Sequence, residues 1–102
     1  MVYLIHFEPR YKHAGHYMGF VEDAPGALAR RVEAHEAGRG ARLTQVAVGA
    51  GCFLEVARLW KGASRRDERR MKRWRMAPRL CPICNPALKL EPPTVQEVYH
   101  GG

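Results

Sequence analysis

Two polar side chains, a guanidinium and an imidazole, share one stripe of a predicted helix. Arg31 and His35 complete an i, i+3, i+4, i+7 pattern with Leu28 and Val32. The two aliphatic residues require a core, so the cation and the ring lie beside an apolar seam. Each of them therefore needs either a partner or a chemical role.

A single carboxylate, Glu68, borders the inward face of a second predicted helix. It lies three residues before Met71 and four before Lys72. The helix begins after Ser64, which together with Asp67 resembles a capping box. Because the surrounding segment is strongly basic, Glu68 is either a partner in ion pairs along the helix or a site residue.

The pair Cys81 and Cys84 has C-x-x-C spacing, which can supply half of a tetrahedral zinc site. The candidates for the other half are Cys52, in a predicted buried strand, and His100. A redox role is also conceivable, but Cys81 and Cys84 lack the preceding strand and the following helix that would lower the pKa of a redox-active thiol. Zinc binding, redox chemistry and unpaired structural thiols are therefore three interpretations of this pair.

Tyrosines on two predicted strands combine with these residues into a pattern that resembles the GIY-YIG nuclease family. The residues that carry the resemblance are Tyr3 in an opening strand, Tyr17, Met18 and Gly19 in a second, Arg31 and His35 in R-x-x-x-H spacing, and Glu68 and Lys72 in E-x-x-x-K spacing. The resemblance covers residues 1–75. It departs from the family pattern at three positions. Met1 occupies the position of the first motif's glycine, Val2 replaces the isoleucine of the first motif, and Met18 replaces that of the second.

The resemblance implies a metal-dependent endonuclease that hydrolyses a DNA phosphodiester by in-line attack of water, leaving a 5′ phosphate and a 3′ hydroxyl. Glu68 would be the carboxylate ligand of one Mg²⁺ or Mn²⁺, and Arg31 would hold the scissile phosphate. Tyr3 and Tyr17 would border the attacking water, one of them as general base. His35 would orient the phosphate or a tyrosine.

Each of these roles has a structural alternative. Tyr3 and Tyr17 can be core residues with tethered hydroxyls, and His35 can be a hydrogen-bonded histidine at the core edge. His6 and His16 are then the alternative bases, because an imidazole titrates near neutral pH. The alternative functions are a noncatalytic nucleic-acid-binding module on the same fold and an interaction protein that zinc stabilises.

The charge balance favours a polyanionic partner. The chain has 17 Lys plus Arg against 10 Asp plus Glu, a formal net charge of +7, and nucleic acid is the commonest such partner. The residues predicted to contact DNA are Arg39, Arg42, Arg65, Arg66, Arg69 and Lys72. Phosphate contacts carry little sequence information, so we expect specificity for DNA structure, or specificity supplied by a protein partner or an oligomer.

The predicted elements form a strand-strand-helix-strand-helix order. Strands over 2–7 and 16–21 pair as a hairpin across a loop at 8–15, and a third strand over 52–60, apolar on both faces, is predicted to be central. The second helix uses Met71 and Trp74 as its apolar anchors. This order agrees with the fold that the resemblance implies, an α+β domain in which a small three-stranded antiparallel sheet is flanked by helices.

The length of 102 residues predicts one domain. Residues 1–76 form the predicted nuclease core, and residues 77–102 form a tail containing Pro and Cys that packs on it or trails from it. No stretch approaches the roughly 20 apolar residues of a membrane span, and the opening residues lack the pattern of a signal peptide. Three cysteines fit a reducing compartment, so we expect an intracellular, cytoplasmic protein without a membrane partner.

Overall fold

The first strand, β1 (Val2–Tyr11), is the centre of the fold. In the computed structural model, which describes residues 1–93, β1 lies between β2 (Ala14–Phe20) and β3 (Phe53–Trp60) in an antiparallel sheet of order β2-β1-β3. Residues 1–7 are all buried, because β1 has a neighbour on both edges and helices over both faces. The continuous run of apolar and aromatic residues in this strand is typical of a strand covered on both sides.

Within residues 1–93, four α-helices accompany the sheet. They are α1 (Ala27–Glu36), α2 (Arg42–Gly49), α3 (Arg65–Trp74) and α4 (Ala77–Leu80), and a short 3-10 helix follows at Pro86–Leu88. The predicted α+β class with a three-stranded antiparallel sheet is confirmed. Helix α2 adds to the predicted element order, and it packs on the core through Ala47, which is buried, and Leu43, one turn earlier.

The two faces of the sheet carry two separate apolar clusters. On one face Tyr3, Ile5 and Phe7 pack with residues of α1 and α2, including Leu28, Val32 and Ala47. On the other face Val2 and Leu4 pack with Met18, Ala57, Met71 and Cys81. The alternation of side chains along β1 therefore sends neighbouring residues into different environments.

The hairpin between β1 and β2 is tighter than predicted. The segment 8–15 was expected to be a loop, but both strands extend through most of it and only Lys12 and His13 lie between them. Lys12 has a φ of 53°, as a tight turn requires. Pro9 is accommodated because the pairing of β1 with β2 is irregular between His6 and Tyr11, where a missing backbone N–H costs no ladder bond.

The prediction that the third strand is central was wrong. β3 lies at an edge of the sheet, and its Phe53 is 78% exposed. The register with β1 shifts within this strand, where Leu4 pairs with Arg58 and Ile5 with Val56. The shift puts Leu59 on the Tyr3 face and Trp60 on the opposite face. Val56 is buried on the Tyr3 face and Ala57 on the opposite face, so both faces of β3 are covered although the strand lies at an edge of the sheet.

Helix α3 begins as predicted. The Ser64 Oγ accepts from the Asp67 N–H at 3.1 Å and the Ser64 N–H donates to Asp67 Oδ2 at 2.8 Å, which completes the capping box. Met71 is buried under the sheet, but the prediction that Trp74 is a second anchor was wrong, since 49% of it is exposed. Trp74 is the last residue of the helix, which ends where Arg75 adopts a φ of 52°.

The described part of the tail packs on the sheet. Cys81 is fully buried in the second apolar cluster, and Ala77, Leu80 and Ile83 surround that cluster. Within residues 1–93 no helix has the length and apolar character needed to cross a membrane.

The contrast between Met71 and Trp74 predicts unequal effects on stability. Met71→Ala should lower the free energy of unfolding by about 2–4 kcal/mol, because it leaves a cavity in the core. Trp74→Ala should change it by less than about 1 kcal/mol. Urea unfolding of both variants measures this, and a larger loss for Trp74→Ala would contradict the assignment of Met71 as the anchor of α3.

Candidate active site and candidate metal centre

A buried chain of hydrogen bonds joins Tyr3 of β1 to helices α1 and α2. Tyr3 Oη lies 2.8 Å from His35 Nε2, and His35 Nδ1 lies 2.8 Å from Thr44 Oγ1. The Thr44 hydroxyl donates its proton to the carbonyl oxygen of Ala41, so its oxygen must accept from the His35 Nδ1–H. His35 Nε2 therefore carries a lone pair, and the Tyr3 hydroxyl donates to it.

Two glycines leave room for the side chains of this hydrogen-bonded network. Gly19 pairs with Tyr3 in the sheet, and a Cβ there would overlap the Tyr3 hydroxyl and lie 2.9 Å from Tyr17 Cε2. A Cβ at Gly40 would overlap the imidazole of His35. Both positions require glycine because an aromatic ring or imidazole approaches the backbone there.

Tyr17 joins Tyr3 and His35 from the second strand. It pairs with Ile5, which puts its side chain on the same face of the sheet as that of Tyr3. Its ring centroid lies 6.2 Å from that of Tyr3 and 5.2 Å from that of His35. Tyr3 and His35 are completely buried whereas Tyr17 is half-buried, so Tyr17 is the more exposed phenol of this tyrosine-histidine cluster.

The charges of two further residues act on the cluster. Burial, reinforced by Tyr17, raises the pKa of Tyr3 well above its ordinary value, while the guanidinium of Arg31 lowers it and the carboxylate of Glu68 raises it. Burial and Arg31 also lower the pKa of His35, so its ring is neutral at pH 7. Arg31 and Glu68, on different helices, therefore both lie within electrostatic reach of the Tyr3 hydroxyl.

Glu68 is held beside the cluster by α3. Its side chain is 12% exposed, and Lys72 Nζ lies 3.6 Å from Glu68 Oε1. The same ammonium lies 5.4 Å from the centroid of the Tyr17 ring. The ion pair along the helix is thus present, and it places the carboxylate next to the phenols rather than on the solvated side of α3.

Guanidinium groups line a cleft that shares Arg31 with the cluster. The cleft has a volume of about 320 Å³. Its charged lining residues are Arg30, Arg31 and Arg65 with one carboxylate, Glu22, and its apolar lining residues are Phe20, Val21, Ala27 and Ala34. The guanidinium of Arg65 lies 4.8 Å from the centroid of the Phe20 ring. Three cations around a partly apolar cleft suit a phosphate and the sugar or base attached to it.

The other residues predicted to contact DNA lie on the surface. Arg66, Arg69 and Lys72 are exposed on α3, and Arg39 and Arg42 are exposed where α1 leads into α2. Gly40 and Ala41 lie between Arg39 and Arg42. Gly40 contacts the His35 ring, so the segment that joins α1 to α2 lies beside the tyrosine-histidine cluster.

A second group of functional side chains lies on the opposite face of the sheet. The ligand atoms of His6, His16, Cys81 and Cys84 all lie within 4.8 Å of one another. His6 pairs with His16 across the hairpin, and the segment after α4 brings the two cysteines against them. This group, called the Cys2His2 cluster below, could bind a metal ion, and its nitrogen and sulfur donors suit Zn²⁺ better than Mg²⁺.

The partners predicted for the C-x-x-C pair were wrong where the structure tests them. Cys52 is buried on the Tyr3 face of the sheet, away from Cys81, and His100 lies outside the described residues. His6 and His16, which were predicted as alternative bases, lie beside Cys81 and Cys84 instead. The signal for this pairing was present in the sequence, since His6 alternates with Tyr3 to the other face and a hairpin joins it to His16.

The protonation of the Cys2His2 cluster argues against redox chemistry. Burial and the neighbouring Cys81 raise the pKa of the Cys84 thiol, whereas a reactive thiol requires a lowered pKa. Burial, with His6 and Arg10 nearby, lowers the pKa of His16 to about 4, so its ring is neutral at pH 7.

The close packing around Gly19 predicts a specific stability defect. Gly19→Ala should lower the free energy of unfolding by about 1–3 kcal/mol or more, because the new methyl group displaces the Tyr3 ring. The matched control is Gly49→Ala in α2, where an added Cβ has no atom within 4 Å. Denaturant unfolding compares the two, and equal stabilities would contradict the observed approach of Tyr3 to the β2 backbone.

No protein-family model matches the chain, and no curated protein or solved structure is significantly similar to it.

Proposed function

We propose that the chain is a metal-dependent DNA endonuclease of the GIY-YIG type, with its active site at the tyrosine-histidine cluster. The observation that carries the proposal is the convergence of Tyr3, Tyr17 and His35, with the charges of Arg31 and Glu68 acting on the same phenol. These residues come from two strands and two helices. Their meeting from separate elements supports the proposal.

The basic cleft supports DNA as the substrate. Arg30, Arg31 and Arg65 line it, and Arg31 also acts on the cluster, so a backbone phosphate in the cleft would lie next to the phenols. The net charge of +7 adds a long-range attraction for a polyanion. Because these are contacts to the backbone, DNA structure or a partner would supply the specificity.

The hydrogen bond from Tyr3 to His35 offers a route for the proton of the attacking water. A phenol with a raised pKa is a poor source of phenolate at neutral pH. Because Tyr3 is completely buried, the proton of the water would reach it through the half-buried Tyr17; the Tyr3 oxygen then accepts that proton while its own proton passes to the imidazole. Neutral His35 is then the terminal base. The water oxygen bonds to phosphorus, the bond to the 3′ oxygen breaks, and that oxygen takes up a proton from solvent water, while His35 later returns its proton to solvent.

Glu68 fits the role of the carboxylate that holds a catalytic cation. It is largely buried, its charge reaches Tyr3, and Mg²⁺ needs few protein oxygens when phosphate and water supply the rest. When bound, Mg²⁺ or Mn²⁺ would offset the charge on the phosphate and make water more acidic. Arg31 would hold the phosphate and offset the remaining charge. The thiols and imidazoles of the Cys2His2 cluster are a poor set of donors for this cation.

The complete burial of Tyr3 and His35 favours a second candidate, a noncatalytic DNA-binding module on the same fold. In that case the hydrogen bonds stabilise the core and nothing more. The basic cleft would bind DNA without cleaving it.

Variants of the two charged residues test the proposal. Glu68→Gln and Arg31→Ala should each slow the nicking of supercoiled DNA in Mg²⁺ by at least about 100-fold, because each removes charge compensation in the transition state. Glu68→Gln should still bind DNA. The matched controls are Glu36→Gln, at the exposed end of α1, and Arg30→Ala, on the cleft beside Arg31, and both should cleave saturating DNA at close to the wild-type rate.

The same assay distinguishes the two candidates. Supercoiled, linear and branched DNA are incubated with Mg²⁺, with Mn²⁺ and with a chelator, and binding is measured over a range of salt concentrations. Steeply salt-dependent binding without cleavage of any form would favour the noncatalytic module. Normal cleavage by Glu68→Gln or by Arg31→Ala would contradict the role assigned to that residue.

A further inference from the structure

We propose that His6, His16, Cys81 and Cys84 bind one structural Zn²⁺, which ties the segment after α4 to the hairpin of β1 and β2. This proposal concerns the face of the sheet opposite Tyr3 and does not depend on DNA cleavage.

Four of the six distances between ligand atoms are close to those of a tetrahedral zinc site, and all six are within 4.8 Å. With Zn–N bonds of about 2.0 Å and Zn–S bonds of about 2.3 Å, a tetrahedron separates two nitrogens by about 3.3 Å and nitrogen from sulfur by about 3.5 Å. His6 Nδ1 lies 3.4 Å from His16 Nε2. It lies 3.7 Å from Cys81 Sγ and 3.5 Å from Cys84 Sγ, and His16 Nε2 lies 3.4 Å from Cys84 Sγ.

A carboxylate outside the cluster orients one of the ligands. His6 Nε2 lies 3.0 Å from Glu8 Oε2, so its N–H donates to Glu8 and leaves the lone pair on Nδ1 facing the other three ligand atoms. Histidines that bind zinc commonly donate their second ring nitrogen to a carboxylate in this way. Hydrogen bonding alone is a weaker explanation of the cluster, because thiols are poor donors.

The number of ligands indicates a structural ion. Four protein ligands fill a tetrahedral site and leave no position for water or substrate, as in structural zinc sites. His6 lies on the Val2 and Leu4 face of β1, so this ion would be separated by the sheet from the tyrosine-histidine cluster.

Binding would join parts of the chain that are distant in sequence. The contacts of Cys81 and Cys84 with His6 span 75 and 78 residues. His16 directly precedes Tyr17, so an ion on His6 and His16 would also fix the register of the strands that carry both tyrosines. Removing it should loosen the tail and the hairpin together.

Metal analysis of the purified full-length protein tests the proposal. We expect about one Zn²⁺ per chain, and protein refolded with Co²⁺ should show the visible absorption of tetrahedral cobalt bound by thiolates. Cys84→Ser and His16→Asn should lose most of the zinc. The matched controls are Cys52→Ala and His13→Asn, which change a cysteine and a hairpin histidine outside the cluster and should keep it.

Thermal stability tests separately whether the zinc ion has a structural role. Removing zinc with a strong chelator should lower the Tm by roughly 10 °C or more, and adding Zn²⁺ should restore it. Wild-type protein that contains no zinc and gives no tetrahedral Co²⁺ spectrum would overturn the proposal. Full zinc content in Cys84→Ser would also overturn the ligand set, and an unchanged Tm after complete removal would overturn the structural role. None of these results depends on whether the protein cleaves DNA.

Discussion

The hydroxyl of Tyr3 is buried at the centre of the sheet, and the need to give it a hydrogen-bond partner constrains much of the structure around it. An unpaired buried hydroxyl costs about 1–3 kcal/mol, so the imidazole of His35 must lie within reach. That imidazole is oriented in turn by Thr44, which ties α1 to α2. The close approach of these rings to the backbone at Gly19 and Gly40 follows from the same requirement.

The alternation of side chains along β1 allows one thin sheet to carry two kinds of chemistry. Tyr3 faces phenol, guanidinium and carboxylate groups, which suit phosphate and a hard cation such as Mg²⁺. His6, three residues later, faces imidazole and thiol groups, which suit Zn²⁺. The two environments share β1 and β2, so a change that shifts the register of the hairpin would disturb both.

Sequence patterns were sufficient for the class of fold and for the capping box of α3, because periodicity and spacing are local properties. Tyr3, Tyr17 and His35 were selected by the resemblance to the GIY-YIG family, and periodicity alone did not distinguish them from core residues. Sequence patterns were insufficient where the answer depends on which elements become neighbours. Both faces of the sheet are covered even at its β3 edge, so the apolar residues on both faces of β3 made an edge strand resemble a central one. The partners of Cys81 and Cys84 could be found only from the pairing of His6 with His16, combined with the packing of a segment 75 residues away.

The account depends most on the participation of the buried Tyr3 hydroxyl, through His35, in phosphodiester cleavage. The most direct test is the rate of supercoiled DNA nicking in Mg²⁺ by Tyr3→Phe, measured beside the wild type with zinc content and DNA affinity recorded for both. The phenylalanine ring fills nearly the same volume, so the account predicts retained DNA binding and zinc with a loss of cleavage of at least about 100-fold. Cleavage by a folded Tyr3→Phe variant at the wild-type rate would contradict it, and would leave Tyr3 as a residue that only stabilises the core.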